Sequence, residues 1–570
     1  MQPALKLSPR SCLAALLFIV AFTTAVPLQA GNSQPSGADR LLQGEQMYRH
    51  GILPSGKQLL GVVTTDTDVS GSSFSCISCH MRSGLGSAEG GVVTTPATGR
   101  VLYQPRAFSL PQMSGMNSAK ESNPPKQPPP RPAYTDATLA KVLLNGVDPA
   151  GRVLSDVMPR YYLNDQDTAT LITYLKSLSV DFSPGISNKT LHLATVITEE
   201  VPTQQVEAMI GPLQDYITGW NRLSALFDTK KNSSTARLYA RNSKNAQYTH
   251  IALSRWILKG KPSTWRSQLE EYYRSKPVFA LVGGITTGDW SVMHDFSEAN
   301  RIPCLFPHTD LPVISDSDWY TLYLSKGLYQ EGAAAANFVN SMVTEADARG
   351  IVQIVRDSPQ GRALAQGFEA ARLESGHRQP VTIFLKGDET VAAGSAVQQL
   401  VRKQPAAIMV WDGAEALNGL TALLKSGPHP DLLMLSSSYL GQGLSTVPEE
   451  IRDITHITFP YRLPVDEQVY DRLNNSPEMN KLQNAELRRT AKKSLALVSV
   501  LNQALFTIKD NIFRDYFLDS IAMIKDLDVP LYERISFGPG QRYASKGCYI
   551  VSLSNDTPPV LIRKSGWVTH

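Results

Sequence analysis

Beyond its first thirty residues the chain has no apolar run approaching the roughly 18 residues that a membrane-spanning helix requires. That absence excludes an integral membrane protein of the helical kind once the N-terminus is set aside. Charge is also sparse. Charged residues make up 19% of 570, the formal net charge is only +4, and like charges form no block. A nucleic-acid or anionic-membrane partner would call for a basic stripe, and none is present. Cysteines number five and histidines ten. Outside one motif the histidines are scattered without metal-ligand spacing, and no acid–base or nucleophile constellation is visible. An enzyme therefore has the weakest case. The hydrophobic content of 42% can bury real cores, and the length calls for two or three domains.

At the N-terminus, Lys6 and Arg10 precede the apolar run "CLAALLFIVAFTTAV", and "LQA" ends at Ala30. This is the layout of a secretory signal peptide over residues 1–30. The mature protein is expected to be exported, periplasmic or secreted, and soluble. Cys12 falls inside that segment, which leaves Cys76, Cys79, Cys304 and Cys548. Export permits disulfides. Cys304 in "RIPCLFP" and Cys548 in "KGCYIV" occupy apolar, strand-like settings and read as two buried free thiols, with a disulfide between them as the competing reading.

Cys76-Ile77-Ser78-Cys79-His80 fits the C-x-x-C-H pattern of c-type haem attachment. Two thiols add to the two vinyl groups of the porphyrin, and the adjacent histidine falls under the iron. A redox dithiol with an incidental histidine is the competing reading, and export favours haem. "DRLLQGEQMYRHG" before the motif reads as a helix carrying Gly44 and Tyr48. After the motif, Asn164 and Asp167 form a helix-capping pair ahead of an apolar face of Leu171, Leu175 and Leu178. A glycine on one helix lets Tyr174 of the other approach closely.

On these motifs, residues 38–182 resemble class I cytochromes c, a small all-α domain holding one covalently attached haem c. The resemblance implies that the methionine of "MPRY", Met158, is the second axial ligand beside His80. Histidine–methionine ligation raises the reduction potential and fits an electron carrier with periplasmic redox partner proteins. Met81, Met113 and Met116 are rivals for the axial position. A five-coordinate iron above a core Met158 would permit ligand or peroxide chemistry. The run "PPKQPPPRP" at 124–132 is stiff and extended. It reads as a solvated loop or as a ridge that selects a partner.

After a linker at 183–189, strand-like runs alternate with helical patterns through residues 190–570. The runs are "LHLATVI", "ARLYA", "VFALVGG", "WYTLYL", "IVQIV", "VTIFL", "AAIMVW" and "LLMLSS". Such alternation implies parallel sheets covered by helices on both faces, and the length implies two lobes. The order of "VFALVGGITTGDWSVMHDFSEANRIPCLFP", "YQEGAAAANFV", "VQIVRDSPQGRALAQGF" and "ISFGPGQRYASKGCYIV" resembles type I periplasmic binding proteins of the branched-chain amino-acid receptor group. The resemblance implies two α/β lobes that close over a small solute.

Ligands of open α/β sheets sit beyond the carboxyl ends of strands. That places Thr286, Thr287 and Gly288 at a helix start suited to an anion, with His308, Thr309 and Asp310 in the next loop. From the other lobe come Arg356, Asp357, Asp412 and Glu415, of which Asp412 or Glu415 could face an ammonium. Helix capping or solvation is the competing reading for each polar loop residue. Trp290, Tyr329, Trp411 and Tyr439 suit either a flat ligand or a core. The expected function is electron transfer by the haem domain, with the second domain recognising a small molecule or docking a redox partner. A solute receptor with an accessory haem and a haem-dependent oxidoreductase are the alternatives.

Overall fold

The computed structural model describes residues 36–569, apart from 64–66, 90–91, 107–128, 230–246, 343–345, 392–393, 426–428, 474–481, 483 and 539. The expected signal peptide, Met113, Met116, most of the proline-rich run and the strand expected at "ARLYA" lie outside the described residues.

The N-terminal unit is built on helices α1 (Gly37–His50), α2 (Ile77–His80), α3 (Asp136–Asn145) and α4 (Asp165–Ser177). A capping box from Ser36 and Asp39 starts α1. Asn164 starts α4 by accepting the Asp167 N–H at 2.8 Å, as its spacing predicts. Helices α1 and α4 cross at Gly44, where an added Cβ would stand 2.5 Å from the Cβ of Tyr174. Tyr48 and Tyr174 fill the crossing with ring centroids 5.5 Å apart. Leu171, Leu175 and Leu178 are buried in the same core. A small antiparallel sheet accompanies the helices: β1 (Leu60–Val63) pairs with β2 (Thr67–Ser70) and with β3 (Arg160–Tyr161). It carries the "MPRY" segment back toward the haem motif.

The expected linker contributes β4 (Ile186–Ser187), a short antiparallel partner of β5 (Thr190–Thr198). The first lobe continues with α5 (Thr203–Thr229), β6 (His250–Leu258), β7 (Ala280–Val282), α6 (Ser291–Ala299), β8 (Cys304–Leu305) and β9 (Thr321–Leu322). Strands β9, β8, β7, β5 and β6 lie side by side, all parallel. The chain then crosses to the second lobe, entering it on α7 (Gly327–Met342). There follow β10 (Ile351–Arg356), α8 (Pro359–Glu374), β11 (Val381–Leu385), β12 (Ala407–Trp411), β13 (Leu432–Ser436) and β14 (Thr455–Phe459). Strand order in the second sheet is β11-β10-β12-β13-β14, parallel throughout. This is the doubly wound pattern that the apolar runs imply.

The chain returns to complete the first lobe with α9 (Ala485–Thr507) and α10 (Arg514–Ala522), and α9 packs on α5. It crosses a last time into β15 (Gly547–Leu553), which extends the second sheet antiparallel to β14, and β16 (Leu561–Arg563), which pairs antiparallel to β15. Cys304 on β8 and Cys548 on β15 are buried and free, in different lobes. Among the described residues no helix is long and apolar enough to cross a membrane.

Candidate functional site

The haem motif folds as one helical turn. Cys76 stands at its start, and Cys79 and His80 close it. Both thiols are free and partly exposed. The His80 ring is turned so that Nδ1 lies 2.8 Å from the Thr95 carbonyl oxygen. A carbonyl can only accept, so Nδ1 carries the proton and Nε2 keeps its lone pair. Burial pushes the imidazole below its ordinary pKa, against the pull of that hydrogen bond, so the ring is neutral. Burial likewise raises the Cys76 thiol to about 11.

The "MPRY" strand closes on the motif from the other direction. The Tyr161 hydroxyl lies 3.9 Å from the Cys76 sulfur and donates to the Phe74 carbonyl at 3.3 Å. Met158, three residues earlier, packs half-buried against the same core as Cys76 and Ile77. Its loop is organised by Arg160, whose guanidinium donates to the carbonyls of Leu154 at 2.9 Å, Ser155 at 3.4 Å and Met158. Thr95 and Arg160 escaped the sequence reading; the arginine inside "MPRY" was the available signal. Met81 is buried, and its carbonyl accepts from Tyr48 Oη at 2.8 Å. Among the described residues no cluster of three histidine, cysteine or acidic side chains could hold a bare metal ion.

The second site lies where the chain crosses between the lobes. A cavity of about 420 Å³, open solvent included, is lined from the first lobe by Pro307, Thr309, Asp310, Lys493 and Tyr532. Crossover residues Tyr323, Leu324, Ser325, Pro460 and Tyr461 form its base, with Gly327, Leu328, Glu331 and Ser438 beyond. Asp310 pairs with Lys493 at 3.3 Å, and their side chains are 53% and 16% exposed. The lysine holds the Asp310 carboxyl below its usual range. Burial alone would lower Lys493, but Asp310 and the neighbouring phenols of Tyr461 and Tyr532 keep its ammonium charged. Glu331 is 1% exposed and accepts from Ser436 Oγ at 2.8 Å and Thr458 Oγ1 at 2.6 Å. Burial pushes its carboxyl up to about 7, against the hydroxyl donors.

Of the cleft residues expected from the sequence, Thr309 and Asp310 line this cavity. His308 is buried beside them, its Nε2 3.2 Å from Ser494 Oγ, and burial together with Lys493 pushes it down to about 3. Thr286 and Gly288 form a turn of their own, the Gly288 N–H donating to Thr286 Oγ1 at 3.2 Å, and Thr287 is exposed. The helix start behind them is capped by the Asp289 carboxylate, which accepts the Ser291 N–H at 2.8 Å. A carboxylate thus holds the place read as an anion holder. Asp412 is bound bidentately by Arg356 at 2.7 and 3.0 Å, Asp357 pairs with Arg362, and Glu415 is exposed. Trp290 and Trp411 are fully buried core residues. Lys493, Tyr461, Tyr532 and Glu331 were missed, because they reach the cavity only through the crossovers.

A family model for cytochrome c matches residues 72–179, and one for periplasmic binding protein matches residues 258–473. A search of the curated proteins gave no match. Solved structures similar to the chain include a type 1 periplasmic binding protein from Bordetella pertussis Tohama I. It is 12% identical, covers 66% of this chain and 100% of its own, and has a TM-score of 0.44. A branched-chain amino-acid ABC transporter protein from Thermus thermophilus with bound valine is 11% identical, with coverage of 68% and 98% and a TM-score of 0.45. A solute-binding protein from Rhodopseudomonas palustris BisB5 in complex with 3,4-dihydroxybenzoic acid is 13% identical, with coverage of 67% and 99% and a TM-score of 0.44. The two family models carry the assignment: a cytochrome c domain followed by a periplasmic binding protein domain.

Proposed function

We propose that this fusion of a cytochrome c domain with a periplasmic binding protein domain is an exported monohaem electron carrier whose cleft recognises a small molecule or docks a redox partner. The observation that carries this reading is the His80–Thr95 hydrogen bond. It leaves a neutral imidazole with its Nε2 lone pair unspent, one residue from Cys79 and four from Cys76. An incidental histidine beside a redox dithiol has no need of a fixed tautomer.

The residues present fit a haem c. Cys76 and Cys79 would hold the porphyrin covalently, and His80 and Met158 would hold the iron. Bound there, the group supplies reversible one-electron exchange. The chain's own part is to fix the imidazole through Thr95 and to hold the Met158 loop through Arg160. In the cleft, the Asp310–Lys493 pair and the Ser325, Tyr461 and Tyr532 side chains offer donors and acceptors to a polar solute. That polar lining favours, as the second reading, a solute receptor with an accessory haem.

The test is expression of the full chain in a host that attaches c-type haem. The mature protein should carry one covalent haem by mass and give a reversible reduced-minus-oxidised spectrum. Cys76→Ala/Cys79→Ala should lose the covalent adduct. A wild-type mass without haem would end the reading.

A further inference from the structure

The loop that follows His80 does not end in the N-terminal unit. Arg82 reaches into the first lobe, its guanidinium carbon 4.5 Å from the Trp319 ring centroid and 5.4 Å from that of Tyr320. Its Nε lies 3.5 Å from Asp515. Trp319 also carries Arg542, at 4.1 Å. Behind this stack, Asp519 of α10 is 4% exposed. One of its oxygens accepts the Arg82 N–H at 3.3 Å, and the other accepts the Ser83 N–H at 2.8 Å.

A carboxylate gripping two consecutive amides fixes both peptide planes at once. The residue between them and His80 is already constrained. Met81 has φ of 62°, a left-handed conformation costly for a side chain of this kind, and its carbonyl is held by Tyr48. Around this grip stands a ring of ion pairs, Glu45–Arg301 at 3.0 Å and Arg49–Asp515 at 2.8 Å. The end of the N-terminal unit, just ahead of the linker, is tied to the same lobe, with Phe182 and Phe513 rings 5.3 Å apart.

We propose that Asp519 is a positioning residue of the haem site: by gripping the Arg82 and Ser83 amides it fixes the loop that aims His80, so the binding domain sets the haem's reduction potential. The proposal rests on the reading of His80 as an iron ligand. Groups that tune a ligand from behind alter its basicity and orientation, and hence the potential of what it holds. Burial raises the Asp519 carboxyl to about 7, against the Ser83 donors.

The experiment is redox titration of the full-length holoprotein at pH 8, comparing wild type with Asp519→Asn and Glu45→Gln. Loosening the grip on the Arg82 and Ser83 amides changes how His80 is aimed, so at the wild-type midpoint the reduced-to-oxidised ratio should change about threefold or more in Asp519→Asn, with haem content unchanged. Glu45→Gln weakens the outer ring without touching the loop and should leave the ratio where it was. Asp519→Asn titrating at the wild-type midpoint would overturn the proposal. So would Glu45→Gln shifting as far as Asp519→Asn. Should the asparagine variant not fold, Asp519→Glu keeps the charge and displaces its oxygens. A shifted midpoint supports the proposal, and an unshifted one overturns it. Failure of the haem reading itself would be visible earlier, as a wild-type spectrum without histidine-ligated haem.

Discussion

A Cβ placed on Gly44 would stand 2.5 Å from the Cβ of Tyr174 and 2.9 Å from the Thr170 carbonyl oxygen. Helices α1 and α4 of the N-terminal unit touch backbone to side chain at that point. Alanine in a helix interior normally gains about 0.5–1 kcal/mol over glycine. Here the collision forces α1 and α4 apart, and overpacking costs roughly 1–3 kcal/mol. Gly44→Ala should therefore lower the melting temperature of the haem domain by several degrees, read by calorimetry. A variant as stable as wild type would show that the crossing can slide open without cost.

Met158→Ala should leave covalent attachment intact while opening the iron to exogenous ligands such as cyanide or imidazole. An unchanged haem spectrum would remove Met158 from the axial position. Arg160→Leu should act in the same direction but partially, because it frees the carbonyls of Leu154, Ser155 and Met158 without removing the thioether. The expected sign is faster and tighter binding of added imidazole than in wild type, weaker than in Met158→Ala. Equal ligand binding in Arg160→Leu and wild type would mean that the loop holds its shape without the arginine.

How much of this was legible in the sequence depends on distance along the chain. The haem motif, the Asn164 cap, the Leu171–Leu175–Leu178 face and the Gly44–Tyr174 approach rest on local spacing or on a steric rule, and the structure places the last three as the residues predict. The apolar parallel strands β10 to β13 of the second lobe stood out for the same reason, whereas β14, with threonine and histidine in its run, did not. Strand β6 did not, because Ser254 and Arg255 interrupt its apolar pattern and its burial does not alternate cleanly. Helices α9 and α10 belong to the first lobe but follow the five parallel strands of the second lobe in sequence. Nothing periodic reports that return. The grip of Asp519 on Ser83 spans 436 positions, and the cavity residues Glu331, Tyr461, Lys493 and Tyr532 meet only where two crossovers between the lobes line the cavity. Pairings made by topology leave no local trace.

Glu331 makes stability depend on pH with a definite sign. Its carboxyl is raised from 4.5 to about 7 by burial. Between those values the folded protein keeps a proton that the unfolded chain has lost. Stability therefore falls as pH rises through the window, by about 1.4 kcal/mol per unit and roughly 3 kcal/mol in all, and levels off above it. Glu331→Gln removes that dependence and should flatten the urea-unfolding profile between pH 5 and pH 7. Asp519, raised in the same direction, contributes a slope of the same sign that survives in this variant. Identical slopes in wild type and Glu331→Gln would show that the buried carboxyl does not titrate there.

The cleft and the haem loop share one piece of the fold. Lys493 lines the cavity from α9, α9 packs on α10, and α10 carries the Asp519 that holds the loop after His80. A solute that shifts Lys493 therefore pushes on the element behind the loop that follows His80. Thermodynamic linkage then requires solute to move the potential and oxidation to move solute affinity by the same free energy. A tenfold preference for one oxidation state corresponds to about 59 mV for a one-electron couple. Small molecules released from gently purified protein identify the solute, and redox titration with and without it measures the shift. Lys493→Met should weaken solute binding by about tenfold or more, since it leaves Asp310 unpaired at the cavity wall. It should also shrink the solute-induced change in potential. A potential that ignores saturating solute would mean that α9 and α10 join the two domains mechanically but carry no energy between them.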